Sequence, residues 1–246
     1  MEWSDEGIIL GVRRHGEGGA IVELMTSAHG RHLGLVRGGG SRRQRPALQP
    51  GNGVQATWRA RLDEQLGNFV LEPTHSRSDR LMTSAHAAFG FTHVAALLRL
   101  LPERDPHPGL HRVLETMLEH LDEPSLAGMM VARFELMMLS ELGFGLELDE
   151  CAATGKRNDL LYVSPKSGRA VNRDAGAPWH DQLFELPFFL IAEVAEPPDR
   201  QALSAAFALT GFFLDRRIHA PRGITLSEAR AAFIGAVARS FGGARQ

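Results

Sequence analysis

Short apolar stretches alternate with turn signals over the first seventy-odd residues. They predict five β-strands, at residues 7–12, 20–26, 33–37, 53–62 and 67–72. The segment from Gly38 to Pro46 interrupts the pattern after the third strand, because three consecutive glycines and a proline favour neither strand nor helix. Five short strands with one long break predict a small barrel, and the OB-fold is the commonest five-stranded barrel of this kind.

After Thr74 the apolar residues recur at spacings of three and four, which is the period of an amphipathic helix. This pattern predicts helices at residues 82–101, 111–121, 124–142, 199–218 and 225–240. Gly143 is expected to end the third of them as a C-cap. The helical period disappears between about 149 and 180, where Gly, Asn, Asp and Pro are frequent and a loop-like segment is predicted.

These patterns together predict an α+β protein with two domains. Residues 1–76 are expected to form an OB-fold barrel. Residues 77–246 are expected to form an α-helical domain, in which the segment from about 149 to 180 is an irregular insertion.

The composition is that of a soluble globular protein, with 43% hydrophobic and 23% charged residues. The acidic N-terminus does not look like a secretory signal, and the apolar stretches contain charges and are too short to span a membrane. The single cysteine, Cys151, excludes a disulfide framework and fits a reducing compartment. We therefore expect a cytoplasmic protein without a membrane contact, associated with the nucleoid if it binds DNA.

The net charge of −2 argues against a wholly basic nucleic-acid binder, so the distribution of charge matters more. Between Leu24 and Leu62 there is no Asp or Glu, and all but two of the 27 basic residues of the chain are arginine. A glycine-rich loop with several guanidinium groups can follow a phosphate backbone without reading its sequence. The arginines predicted to bind DNA are Arg13, Arg14, Arg31, Arg37, Arg42, Arg43, Arg45, Arg59 and Arg61. Charge alone leaves open that the loop is simply solvated.

Few aromatic residues are available for stacking on bases. Trp3, Trp58 and Phe69 are interpreted as core residues, which is the usual role of an aromatic residue in a barrel. DNA binding is then expected to be mainly electrostatic and strongly dependent on salt. His29 and His32 flank a turn, where they either contact DNA or belong to the turn surface.

Several short motifs occur in order along nearly the whole chain. In the first domain they lie at residues 7–10, 16–22, 26–30, 37–38 and 47–51. In the second domain they lie at residues 133–139, 142–144 and 151–155. Each motif is modest alone, but their succession resembles the RecO family of recombination mediators.

The resemblance implies an OB-fold, a helical domain and often a small zinc module. It also implies binding of single- and double-stranded DNA, annealing of complementary strands and partnership with RecR. A further implied contact is the acidic, apolar-ended tail of the single-strand-binding protein SSB. With RecR, such a protein replaces SSB by RecA on gapped DNA, and it uses no cofactor.

The zinc module that the resemblance implies departs from the family pattern in this chain. A four-cysteine site needs two C-x-x-C pairs, but Thr154 stands where the partner of Cys151 would lie, and Asn172 and Ala175 occupy the second pair. His180 and Asp181 are interpreted as surface or packing residues and not as further ligands. We therefore predict an insertion that binds no metal.

A receptor for an acidic, apolar-ended peptide needs a cationic side chain beside an apolar groove. The candidates in the helical domain are Arg133, Arg216 and Arg217, and Arg133 is favoured because it lies in a motif of the resemblance. The alternative for Arg133 is a salt bridge near Glu135 or Glu141. The methionines around it (Met129, Met130, Met137 and Met138) are interpreted mostly as core.

The sequence contains no P-loop, no H-E-x-x-H, no G-x-S-x-G and no dinucleotide fingerprint, and the function predicted is not enzymatic. Two other functions stay open at this point. One is an OB-fold factor that binds RNA, and the other is a scaffold that binds proteins and has only weak affinity for DNA.

Overall fold

The computed structural model describes residues 1–242. Its first 75 residues contain five strands. They are β1 (Glu2–His15), β2 (Gly19–Thr26), β3 (Gly30–Val36), β4 (Gly53–Arg59) and β5 (Asn68–His75). The strands pair in the order β1, β2, β3, β5, β4, and β4 pairs again with β1. The predicted five-stranded OB-fold-like barrel is confirmed.

The interior of the barrel is filled by side chains from alternate strand positions. Burial alternates regularly along β3, as expected when one face of a strand packs in a core. The core includes Ile9, Val22, Leu24, Trp58 and Phe69. The sequence interpretation of Trp58 and Phe69 as core residues is therefore confirmed.

Helices predominate after the barrel. They are α1 (Ser78–Thr83), α2 (Ala85–Leu98), α3 (Pro108–His120), α4 (Pro124–Glu141), α5 (Arg173–Gly176), α6 (Arg200–Leu214) and α7 (Glu228–Ser240). The first predicted helix is in fact two, because Ser84 adopts an extended conformation and its side chain accepts the N–H of Ala87 as the cap of α2. Gly143 ends α4 as predicted, with φ +83°, a conformation that glycine adopts readily.

The segment predicted as loop-like contains regular structure. Strands β6 (Leu160–Val163) and β7 (Ala170–Asn172) pair in it, and β8 (Phe184–Glu185) completes a three-stranded sheet in the order β7, β6, β8. The prediction of a wholly irregular segment was wrong here. Strands of two to four residues are too short for a period of two to be recognised in the sequence.

The chain forms two compact units, Met1–Asp122 and Glu123–Gln246. The first holds the barrel with α1, α2 and α3, and the described part of the second holds α4 to α7 and the small sheet. The predicted domain boundary after residue 76 stays a prediction. No helix within residues 1–242 has the length and hydrophobicity to cross a membrane.

Candidate nucleic-acid interface

The loop between β3 and β4 carries Arg42, Arg43 and Arg45, whose side chains are exposed. The loop is folded into hydrogen-bonded turns: the N–H of Arg45 donates to the carbonyl of Ser41 at 3.2 Å. Leu48, near its end, is buried in the barrel core. The prediction that this segment forms neither a strand nor a helix is confirmed, since the structure shows a series of turns whose apolar end is packed.

A second basic segment lies next to this loop. The N–H of Gly40 donates to the carbonyl of Gly18, in the turn between β1 and β2, at 3.2 Å. Arg13 and Arg14 stand at the end of β1 that leads into this turn, and both are exposed. The hydrogen bond therefore brings together arginines that lie almost thirty positions apart in the sequence.

We call the resulting region the basic surface. It consists of the exposed side chains of Arg13, Arg14, Arg37, Arg42, Arg43 and Arg45. Within residues 1–242, the structure shows no ion pair for any of the six, so their charges are available to phosphates. Clustered unpaired guanidinium groups create a positive potential that attracts a polyanion.

Three other predicted DNA-binding arginines differ in their surroundings. Arg31 is mostly buried and pairs with Glu23 at 2.9 Å, so its charge is compensated inside the unit. Arg59 is exposed but pairs with Glu2 at 2.7 Å, and Arg61 is exposed in the loop after β4. Sequence reasoning missed both carboxylates, although pairing of the first strand with the fourth places Glu2 directly opposite Arg59.

Several aromatic rings of the barrel pack against one another around Trp3. Trp3 stacks on Trp58 with ring centroids 5.8 Å apart, and His29 stacks on Trp3 at 4.1 Å. His32 lies edge-on to Trp3, Trp58 and Phe69 and is 2% exposed. Burial lowers the pKa of His32 to about 4, so the ring is neutral at physiological pH. His32 is therefore a core residue, whereas His29 is half-buried at the turn.

In the second unit, Arg133 holds a nearby segment through its guanidinium group. Its Nε donates to the carbonyl of Phe189 at 2.8 Å, and an Nη donates to the carbonyl of Ala192 at 2.6 Å. The alternative of a salt bridge from Arg133 to Glu135 was wrong, because Glu135 pairs with Arg230 at 2.7 Å.

The other two arginines predicted to bind a peptide tail are placed differently. Arg217 donates to the carbonyls of Phe144 and Ser167, both at 2.9 Å, and its guanidinium lies over the ring of Phe213. Arg216 is exposed, with its guanidinium carbon 5.6 Å from the ring centroid of Phe212. Arg217 thus has a structural role in the unit, while Arg216 remains accessible.

A groove of about 410 Å³ opens beside Arg133. Its lining is largely apolar and includes Leu136, Met137, Leu148 and Leu190, with one carboxylate, Glu141. Of the methionines interpreted as core, Met129 and Met138 are buried, and Met130 and Met137 are partly buried. The structure therefore provides the combination of a guanidinium group and an apolar groove that the sequence suggested.

The positions of a four-cysteine zinc site are joined by hydrogen bonds. The Sγ of Cys151 accepts the N–H of Asn172 at 3.3 Å, and the Asn172 amide donates to the hydroxyl of Thr154 at 3.4 Å. Burial raises the pKa of the Cys151 thiol, but hydrogen bonds with Thr154 and the Asn172 backbone outweigh this and lower it to about 7. One thiol with an amide and a hydroxyl does not fit tetrahedral zinc. The predicted absence of zinc stays a prediction.

Comparison with known proteins gives a consistent result over both units. Residues 1–77 match the family described as Recombination protein O N terminal, and residues 83–223 match Recombination protein O C terminal. The chain is 61% identical over 240 residues to a protein of a Chelativorans species named DNA repair protein RecO, covering 98% of this chain and 97% of the relative. It is 62% identical over 240 residues to the protein of that name from Xanthobacter autotrophicus, covering 98% of each chain.

Proposed function

The chain belongs to the RecO family of DNA repair proteins, and from this premise we propose that it binds single- and double-stranded DNA through the basic surface and anneals complementary strands. Its role is in recombinational DNA repair. The proposal concerns how the chain fulfils that role: it works by binding and bringing strands together, without a catalysed reaction.

One observation supports this mechanism above others: six exposed arginines, which have no carboxylate partner among residues 1–242, lie on adjoining segments of the barrel unit. Contacts of guanidinium groups with phosphates do not depend on base sequence. Such a surface holds two complementary strands equally well and reduces the repulsion between them. These are the requirements for annealing strands of any sequence.

Annealing of two complementary oligonucleotides tests the proposal directly. A variant with Arg42, Arg43 and Arg45 changed to alanine is compared with the unmodified protein at low and moderate salt. We expect slower annealing and weaker DNA binding by the variant. The slope of log affinity against log salt is negative, and in the variant it should become shallower by about 2. Each phosphate contact on a single strand contributes about 0.7 to this slope.

A matched control removes three exposed arginines outside the barrel and its loop, Arg112, Arg200 and Arg222. The control changes the net charge of the protein by the same amount, and we expect it to anneal normally. Equal loss in both variants would attribute the effect to net charge. Normal annealing by the loop variant would mean that DNA binds elsewhere.

For partners, we propose RecR, the C-terminal tail of SSB and, indirectly, RecA, which is loaded when SSB is displaced from gapped DNA. The groove beside Arg133 supports the SSB contact, because an apolar chain end fits its leucines and a carboxylate can approach the guanidinium. We also propose that the protein acts in the cytoplasm at the nucleoid, since its DNA substrate lies there.

The SSB contact is tested by anisotropy of a labelled tail peptide. Arg133→Ala and Met137→Glu should each weaken peptide binding while leaving DNA affinity unchanged. The second variant is needed because Arg133 also holds the carbonyls of Phe189 and Ala192. Unchanged peptide affinity in both variants would rule out this groove. Tighter binding of RNA than of DNA would favour an OB-fold factor that binds RNA. Binding of RecR and SSB with negligible affinity for DNA would favour a scaffold that binds proteins.

A further inference from the structure

The barrel has a weak seam between β3 and β5. These two strands are joined by a single parallel bridge, Leu35 with Asn68, and by a hydrogen bond from the N–H of Leu35 to the carbonyl of Gly67 at 3.1 Å. In the part of the chain that the structure describes, the rest of β5 has a strand partner only on the β4 side. Polar backbone groups of β5 therefore border an opening in the barrel wall.

A groove of about 670 Å³ lies at this seam, lined by residues of the loop between β3 and β4 and of strands β3, β4 and β5. Its apolar lining includes the buried residues Val36, Leu48 and Phe69, together with Ala47 and Val70. Val70 is 57% exposed, so it adds accessible apolar surface to the groove. Ligand pockets in proteins commonly have volumes of roughly 300 to 1,000 Å³, and the volume of this groove lies within that range.

The rim of the groove is cationic. Arg37 and Arg43, which belong to the basic surface, contribute to its lining together with Arg59, which is paired with Glu2. The polar groups of Gln44 and Asn68 stand among them, and the Asn68 side chain accepts the Nε–H of Arg37 at 3.3 Å. An apolar interior with a guanidinium rim and a few amides is complementary to a base attached to a phosphate backbone.

We propose that this groove holds one unpaired nucleobase of a DNA strand whose flanking phosphates lie on Arg37 and Arg43. The base packs on Val70 and Ala47, and its edge bonds to the amides and to the free edge of β5. This inference rests on the proposed DNA binding and adds to it a contact with the base itself.

The groove then distinguishes single strands from duplexes. A base in a duplex is stacked on both faces and paired along its edge, so it reaches the groove only if it is flipped out, which is costly. The basic surface holds both forms of DNA through phosphates, whereas the groove favours the unpaired form. Pairing with a complementary strand would withdraw the base from the groove and help the annealed product to leave.

An oligomer without bases separates the two kinds of contact. The affinities of a dT oligomer, an abasic oligomer of the same length and a blunt duplex are measured by anisotropy at one salt concentration. The protein is compared with Val70→Ser and with Val12→Ser. The latter is a control at a valine of β1 that is 37% exposed and does not line this groove.

We expect the unmodified protein and Val12→Ser to bind dT about fivefold more tightly than the abasic strand, because burying about 40 Å² of apolar surface between the base and the groove has roughly that effect. Val70→Ser should bring this ratio close to one while its affinity for the abasic strand and the duplex stays unchanged. Equal affinity of the unmodified protein for dT and the abasic strand would overturn the inference but leave the proposed function intact. Failure to bind any of the three DNAs would instead overturn the proposed function.

Discussion

Gly40 and Gly18 are joined by a backbone hydrogen bond of 3.2 Å that ties the arginine-rich loop to the turn between β1 and β2. The approach is close: a Cβ atom at the neighbouring Gly39 would lie 2.9 Å from the Cβ of Ala20. The glycines of this loop therefore do more than provide flexibility. They let the loop pack against the hairpin, and this packing brings the arginine-bearing loop next to the turn that follows Arg13 and Arg14.

The double variant Arg13→Ala/Arg14→Ala should weaken binding of single strands and duplexes by similar factors. These side chains are expected to contact phosphates, which both forms of DNA carry in any sequence. In a salt titration with single-stranded DNA, the slope of log affinity against log salt should become shallower by about 1.4. An unchanged slope would exclude Arg13 and Arg14 from the DNA-binding surface.

Glu2→Gln should increase affinity for single-stranded DNA. The Glu2 carboxylate accepts a hydrogen bond from Arg59 at 2.7 Å, and this bond lowers the pKa of Glu2, so the pair is fully charged at neutral pH. Removing the carboxylate frees the guanidinium for a phosphate. We expect an increase of about twofold to threefold at low salt that disappears as salt rises.

Anisotropy titrations with Glu64→Gln as control check this prediction, because Glu64 is an exposed acid in the loop between β4 and β5. The same gain in both variants would indicate a general charge effect. Arg59→Ala should weaken binding slightly and abolish the effect of Glu2→Gln in the double variant.

Glu135→Gln should strongly destabilise the second unit. The two carboxylate oxygens accept from Nε and an Nη of Arg230 at 2.7 and 3.0 Å, and Glu135 is fully buried. The variant leaves a buried guanidinium without its counter-charge, which costs about 3–5 kcal/mol. Urea unfolding measures the loss, and Glu193→Gln, at an exposed position, is the control.

A double variant distinguishes charge imbalance from loss of packing. Glu135→Leu combined with Arg230→Met removes both charges and keeps apolar volume, so it should be more stable than Glu135→Gln alone. If the double variant is less stable than Glu135→Gln, the attraction between the two charges contributes more to stability than burying them costs.

Stability should fall as the pH decreases from about 6.5 towards 4, partly because of His32. Burial lowers the pKa of His32 to about 4, whereas in the unfolded chain it is near 6.5. Between these values the unfolded state binds the proton and the folded state does not, so protonation favours unfolding. From pH 7 to pH 5 the free energy of unfolding should decrease by about 2 kcal/mol from this residue.

Urea unfolding of the unmodified protein and His32→Phe at both pH values checks the His32 prediction. Phenylalanine preserves a ring among Trp3, Trp58 and Phe69 but does not titrate, so the variant should lose less stability in acid. Burial also lowers the pKa of His111, and a smaller acid loss therefore remains in the variant. Identical pH dependence of the two proteins would exclude His32 as the cause.

The amino-acid sequence by itself determined most elements of secondary structure. Alternating and helical periods arise from residues a few positions apart, so the five strands and the long helices could be read directly. Local end signals worked for the same reason: Gly143 ends α4, and Asp199 caps α6 by accepting the N–H of Ala202 at 2.8 Å. The concentration of arginine in one acid-free segment was equally visible.

Only the tertiary structure decided which of those arginines are free to bind. The sequence does not distinguish Arg31 from Arg42, because both lie in the same basic stretch. In the structure, the charge of Arg31 is compensated by Glu23 on a neighbouring strand, whereas Arg42 has no carboxylate partner within the described residues. The groove beside Val70 depends on how far β3 and β5 remain paired, which involves residues more than thirty positions apart. Ion pairing, burial and strand separation depend on distances in space, and a local sequence pattern does not encode those distances.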